Sequence, residues 1–259
     1  MYGVSLSLMV INKERYFIEL SYKGTKYHGW QIQPNAITVQ EVLDKALSVY
    51  FREKIETLGC GRTDTGVHAT QFFAHLDIRP LSTEDETRAI TSLNSLLPFD
   101  IAIKRFIKVG AESHARFDAT LRSYEYHINY RKDPFSYNKS WWLRDELDIA
   151  IMNNAASHLL NYTDFSCFSK SNTQVFTNNC KISRAEWVEI PEGVIFHISA
   201  DRFLRNMVRA IVGTMVEIGK GKLQLEAIHD IIQSKNRSNA GASVPACGLY
   251  LTTVKYPYI

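Results

Sequence analysis

The residues best able to do chemistry sit together in one stretch, Gly59-Cys60-Gly61-Arg62-Thr63-Asp64-Thr65-Gly66-Val67-His68-Ala69. Its glycines let the backbone take positive φ or approach a ligand closely. A glycine-rich hairpin whose aspartate bonds its own turn accounts for the glycines and Asp64 but leaves Arg62 unexplained. In extended backbone, side chains two apart point the same way. Arg62 and Asp64 then share a face, and the guanidinium can hold the carboxylate ionised. An ionised, oriented carboxylate is a nucleophile or a general base.

The triplet Asp64-Thr65-Gly66 also occurs in aspartic proteases. Those enzymes need two such carboxylates sharing one proton, each after an apolar strand, whereas here Arg62 precedes the triplet and opposes shared protonation. A retroviral-type dimer would supply the second triplet, but its protomer is much shorter than this chain.

Composition narrows the field further. The 259 residues are 45% hydrophobic and 22% charged, which suits a folded protein with a sizeable core and argues against a disordered or fibrous chain. No run reaches the roughly 18 apolar residues of a membrane helix, so no membrane association is expected. The formal net charge is +3 and the pI near 8.6, below the value of about 9 that alone suggests a nucleic-acid binder. Cys60, Cys167, Cys180 and Cys247 lie far apart, without a C-x-x-C pair or a suitably spaced histidine, so neither a disulfide framework nor a metal site is expected. The first eleven residues lack the charged start and cleavage site of a secretory signal. They read as a short disordered tail of a cytoplasmic protein.

The elements that must position Asp64 follow from periodicity. Residues 15–22 alternate like a strand. Thr38 and Glu41 form a capping box, followed by Val39, Val42, Leu43, Ala46, Leu47 and Tyr50 at helical spacing. Strand-like runs near 56–62 and 68–78 precede a helix at about 84–97, started by Thr83 and Glu86 and stopped at Pro98, and a strand at 101–109. That order is βαββαβ. The second half repeats it: a strand at 119–130, a helix near 147–160, strands at 184–190 and 193–200, a helix at 203–218 and a strand at 248–256. One helix near 225–233 is added. The expected fold is α+β, with two tandem split-βαβ (ferredoxin-like or RRM-like) halves at 13–112 and 113–259, related by a pseudo-two-fold and meeting at a central cleft. Helices would cover one sheet face and leave the other free for a broad ligand such as RNA. Segments 165–183 and 234–246 resist packing and are secondary candidates for binding loops.

The stretch around Asp64 resembles the G-x-G-R-T-D-x-G-V-H-A motif of the TruA family of tRNA pseudouridine synthases. Other segments agree in order: YKGTKYHGWQIQ with TVQEVLDKAL, HARFDATLRSYEYHI, FLRNMVRAIVG and PACGLYL. The resemblance spans nearly the whole chain. It departs at Cys60 and Thr65, where alanine is common, and at Leu204-Arg205-Asn206, where many members carry histidines; Thr65 and Arg205 could tune the site.

The resemblance implies an isomerase that needs no cofactor or metal. It breaks the N1–C1′ bond of uridine, turns the uracil over and bonds C5 to C1′. Asp64 matches the family's aspartate, acting as nucleophile at the ribose or as base toward a ribose proton. The uridine must leave its stack at a cost of about a few kcal/mol. Arg62 matches the residue that fills the gap or binds phosphate, although simple pairing with Asp64 is also open to it. Tyr124 matches the tyrosine that stacks on the extruded uracil and takes the C5 proton. Arg209 matches an arginine that pairs with the carboxylate, and Leu249 a pocket-wall residue. With Arg209, residues Arg202 and Arg205 make a basic stripe on helix 203–218, facing phosphates or solvent. Lys23, Lys26, Lys220 and Lys222 are candidates for a phosphate-binding rim. His68, Gln40 and Trp30 fall in matching positions with supporting roles. The implied partners are a second copy of the chain, as a homodimer, and tRNA, whose anticodon stem-loop is modified at positions 38–40. An RNA chaperone without catalysis is the competing expectation.

Overall fold

The computed structural model describes residues 12–170 and 177–259. The first eleven residues, expected to form a tail, lie outside these, as do residues 171–176 of the expected loop 165–183.

In chain order the first half contains β1 (Glu14–Tyr22), α1 (Val39–Phe51), β2 (Leu58–Gly59), β3 (His68–Ile78), α2 (Thr83–Leu96) and β4 (Ile101–Lys108). The second contains β5 (Leu121–Asn129), β6 (Trp141–Trp142), α3 (Ile149–His158), β7 (Ile182–Ile190), β8 (Gly193–Ala200), α4 (Met207–Gly219), α5 (Ala227–Ser234) and β9 (Leu249–Lys255). All nine strands among the described residues join one sheet, ordered β4-β1-β3-β9-β5-β8-β7, with β2 paired to β3 and β6 to β5. Within the first half the order is β4-β1-β3-β2 and within the second β9-β5-β8-β7, every pairing antiparallel. A short parallel contact, His68 opposite Tyr250 and Ala69 opposite Leu251, joins the halves through β3 and β9. The fold is mixed α+β with a mostly antiparallel central sheet.

Helix starts obey local chemistry. Thr38 caps α1 by accepting from the Glu41 N–H at 3.3 Å, a contact worth about 1 kcal/mol in such positions. Helix α2 starts one residue earlier than the Thr83 box predicts. Ser82 is the cap, accepting from the Asp85 N–H at 3.1 Å while its hydroxyl donates to the Asp85 carboxylate at 3.0 Å. An S-x-x-D pair completes the reciprocal arrangement as well as T-x-x-E does.

Three further expectations are corrected. The run near 56–62 contracts to the two-residue β2, because the chain leaves the sheet at Cys60 to form the Asp64 loop. The alternation in β1 does not mark a wet face. Tyr16, Ile18, Leu20 and Tyr22 fill one side, yet Phe17 on the other is buried against Tyr256 with ring centroids 5.1 Å apart. Glu19, also buried, accepts from Gln71 at 3.1 Å and Arg105 at 2.5 Å. Part of the sheet face expected to be free is thus covered by the chain's own C-terminal segment. The third correction concerns the segments expected to resist packing. Phe165, Cys167, Phe168 and Cys180 are core residues, and 240–246 presses on α4 so closely that a Cβ at Gly213 would fall 1.8 Å from the Ala242 carbonyl oxygen.

Two hydrophobic clusters result. One packs β1, β3 and β4 with α1 and α2 and takes Leu251, Val254 and Tyr256 from β9 and the segment beyond it. The other packs the second half and takes Val67 from the Asp64 loop. Tyr124 touches both, so the loop and β5 meet where the two cores join.

Candidate active site

The Asp64 loop leaves β2 and returns into β3, and the segment 22–30 straps it from one side. The Trp30 N–H donates to the Thr63 carbonyl at 3.3 Å, the Gly66 N–H to the Tyr27 carbonyl at 3.2 Å, and the hydroxyls of Tyr22 and Thr63 bond at 2.9 Å. A Cβ at Gly29, whose φ is +86°, would lie 2.3 Å from the Thr63 carbonyl oxygen, and one at Gly24 only 1.9 Å from that of Val67. These two glycines are where the strap touches the loop backbone directly. Gly66, at φ +82°, closes a turn in which the Val67 N–H donates to the Asp64 carbonyl at 3.1 Å.

Asp64 does not pair with the arginine two residues before it. Arg62 points to solvent and makes no ion pair with Asp64 among the described residues. The carboxylate instead receives Nη1 of Arg209 at 3.4 Å, both side chains being mostly buried. Arg209 is in turn aimed by its Nε–H, which donates to the Val244 carbonyl at 2.7 Å, while the Val244 N–H donates to the Arg209 carbonyl at 3.3 Å. Segment 240–246 thus serves to orient an arginine.

Tyr124 lies edge-on to Phe203, with ring centroids 5.2 Å apart at 89°. Burial pushes its hydroxyl above the ordinary tyrosine range, so the group is a neutral phenol at physiological pH. Leu249 is buried at the start of β9, opposite Tyr126, in the second core cluster.

The expected basic stripe does not form. Helix α4 begins at Met207, because Asn206 takes a left-handed conformation (φ 65°, ψ 5°) that asparagine tolerates and that breaks the helix. Its side chain is held by the Ser243 hydroxyl. The apolar spacing of 203–208 mimics a helix, yet Phe203 packs on Tyr124 and Leu204 enters the core. Arg202 and Arg205 therefore sit on the loop ahead of α4, and only Arg209 is helical.

The lysines are dispersed. Lys23 and Lys26 are exposed on the strap, Lys26 lying 3.9 Å from Asp100. Lys220 pairs with Asp145 at 2.7 Å and Lys222 with Glu217 at 3.4 Å, at the far end of α4. Ten helical residues lie between Arg209 and Lys220, which puts them roughly 16 Å apart along the axis.

The supporting residues are structural. The His68 Nδ1 accepts from the Gly24 N–H at 2.9 Å and its Nε2 lies 3.1 Å from the Cys247 carbonyl; burial lowers its affinity for a proton. Gln40 donates to the Thr57 carbonyl at 2.6 Å, and Trp30 stacks on Phe72 at 4.1 Å.

Sequence reasoning passed over Arg122. Its guanidinium donates to the carbonyls of Arg116 at 2.7 Å, Cys60 at 2.8 Å, Asp201 at 3.0 Å and Ala119 at 3.4 Å. One side chain thereby ties the start of the Asp64 loop to two other segments. The available signal was its position two residues before Tyr124 on β5, hence on the same face.

Among the described residues no group of three or more His, Cys, Asp or Glu is placed to hold a metal ion, and no helix is long and apolar enough to cross a membrane.

The family described as tRNA pseudouridine synthase matches residues 155–257. Relatives named tRNA pseudouridine synthase A extend the likeness across the chain. The protein of Bacteroides fragilis is 49% identical over 247 residues, 94% of this chain and 97% of its own. That of Porphyromonas gingivalis is 49% identical over 94% and 97%, respectively. A more distant one, from Thermoanaerobacter pseudethanolicus, is 39% identical over 92% of this chain and 98% of its own. On a likeness that spans more than nine-tenths of the chain, the chain belongs to the TruA family of pseudouridine synthases, which are isomerases.

Proposed function

We propose that the chain converts uridine to pseudouridine at positions 38–40 of the tRNA anticodon stem-loop, with Asp64 as the nucleophile or base. The observation that carries this reading is the ion pair of Asp64 with Arg209 in a loop strapped by segment 22–30, which presents one oriented carboxylate near the meeting of the two cores. With the two-residue β6 set aside, the segments 13–112 and 113–259 share a 4-1-3-2 strand order, which supports two halves related by a pseudo-two-fold, with the cleft between them as the RNA channel.

In this reading the target uridine leaves its stack, and Arg62, exposed and unpaired with Asp64, fills the gap or binds phosphate beside it. Asp64 attacks C1′ or removes a ribose proton as the N1–C1′ bond breaks, and uracil departs as an anion. The base turns over, C5 bonds to C1′, the C5 proton is lost and N1 gains one, so substrate and product are isomers. Tyr124 stacks on the uracil. As a neutral phenol it accepts the C5 proton only while passing its own onward. Leu249 walls the pocket, and Lys23, Lys26, Arg202 and Arg205 are candidates for phosphate contacts. Lys220 and Lys222, neutralised by acids at the far end of α4, contribute less. The enzyme works as a cytoplasmic homodimer without cofactor or metal.

The test is release of the C5 hydrogen of labelled uridine from tRNA transcripts that each lack one target position and from one that lacks all three. Release that disappears only when positions 38–40 are all replaced supports the reading, and no release from any transcript refutes it.

A further inference from the structure

The grip of Arg122 on three segments has a second consequence. Cys60, Arg116 and Asp201 are brought within hydrogen-bond reach of a single guanidinium, and another arginine lies at or within two residues of each: Arg62, Arg116 itself and Arg202. Among the described residues none of these three pairs with a carboxylate, since the nearby Asp64 is taken by Arg209. Arg116 is exposed, and Arg62, Arg122 and Arg202 are close enough for their charges to oppose its own. Partial burial, followed by repulsion from Arg62, Arg122 and Arg202, pushes Arg116 below the ordinary arginine range. Gathering like charges raises the energy of the unliganded site, and a polyanion relieves it.

Beside Arg116 the ring of Phe117 is 73% exposed. His114 lies against it with ring centroids 4.2 Å apart, and the Arg116 guanidinium carbon stands 5.6 Å from the Phe117 ring centre. The His114 Nδ1 accepts from the N–H groups of both Arg116 and Phe117, at 3.1 and 3.2 Å, so the pair is presented on an ordered turn. An arginine next to an exposed aromatic ring is the combination that binds single-stranded nucleic acid, charge for the backbone and a flat face for a base.

We propose that Arg116, with Arg62 and Arg202, forms a phosphate subsite for the RNA backbone beside the nucleotide presented to Asp64, and that Phe117 stacks an unpaired base of the same strand. The inference rests on the reading of this chain as a tRNA-modifying enzyme. Arg122 builds the subsite through backbone carbonyls alone, so changing the Arg116 or Phe117 side chain leaves that scaffold in place.

The experiment uses the full chain and an unmodified tRNA transcript, measuring affinity across a salt series together with release of the uridine C5 hydrogen. Arg116→Gln is expected to bind about tenfold more weakly at low salt, with the slope of log K against log salt reduced by about 1, and Arg116→Lys to restore that slope. Phe117→Ala is expected to lose about tenfold in affinity with the slope unchanged, because stacking releases no counterions. Arg62→Gln/Arg202→Gln, which leaves Arg116 intact, is expected to reduce the slope by about 2 and stands in should Arg116→Gln fold poorly. Wild-type slope and affinity in both arginine variants, from a wild-type protein that releases the hydrogen, overturns the subsite. A wild-type protein that neither binds nor turns over tRNA overturns the underlying functional reading instead.

Discussion

Arg209 Nη1 stands 3.4 Å from Asp64 Oδ2, across 145 residues of sequence, and the same guanidinium donates through Nε to the Val244 carbonyl at 2.7 Å. The carboxylate is thus oriented by a long-range partner that is itself oriented. Asp64→Asn keeps the shape and removes the charge and basicity. It is expected to abolish C5-hydrogen release while tRNA affinity stays within about threefold of wild type, because phosphate contacts dominate binding. A chaperone without catalysis would show no such separation of binding from turnover.

Arg209→Lys tests geometry separately from charge. A lysine ammonium cannot donate to Asp64 and the Val244 carbonyl from one rigid fork. Losing one charge-assisted contact of about 1.5–3 kcal/mol predicts a fall in kcat of about ten- to a hundredfold with a smaller change in KM. Steady-state kinetics on a tRNA transcript decide the matter; an unchanged kcat would show that the pair is dispensable.

The strap makes a prediction about stability. Gly29→Ala places a Cβ 2.3 Å from the Thr63 carbonyl oxygen at a backbone φ of +86°. Overpacking of this kind costs about 1–3 kcal/mol. A chain of this length loses about 2–4 °C in Tm per kcal/mol. Activity should fall further than stability, since the displaced atom is one residue from Asp64. Calorimetry and turnover measured on the same preparation separate the two effects.

His75 couples the turn carrying Arg116 to pH. Its Nδ1 accepts from the Ala115 N–H at 3.1 Å, and burial lowers its pKa from 6.5 to about 4. The folded state therefore binds fewer protons than the unfolded state between those values, and this contribution is complete above pH 6.5 and lost as pH falls toward 4. The upper limit is roughly 3 kcal/mol, at 1.36 kcal/mol per pH unit. Asp44, raised to about 6 chiefly by burial, has the opposite sign and gains stability as it protonates below pH 6. Denaturant unfolding at pH 7 and pH 4.5 should show a net loss in wild type that shrinks in His75→Gln; an equal loss in both proteins would remove His75 as the cause.

Much of the fold was legible locally. Thr38 announced α1, and strands β3, β4, β5, β8 and β9 fell within a few residues of their periodic runs, because a side-chain period of two or 3.6 is a property of consecutive residues. The start of α4 was misplaced because Phe203 and Leu204 keep helical spacing while packing in separate places, and a single left-handed asparagine holds the boundary.

The amino-acid sequence by itself determined which groups are proposed for the site: Asp64 between glycines, Arg62, Tyr124 and Arg209, in segments whose family likeness runs along the chain. The partners of those groups were decided by tertiary structure. Adjacency in sequence made Arg62 look like the neighbour of Asp64, whereas the Arg209 contact, implied beforehand only by the family resemblance, spans 145 residues and exists only in the folded chain. The convergence of Cys60, Arg116 and Asp201 on Arg122 depends on carbonyls from three separate segments. Backbone acceptors are the same in every residue, so only the folded chain shows which of them a guanidinium will meet.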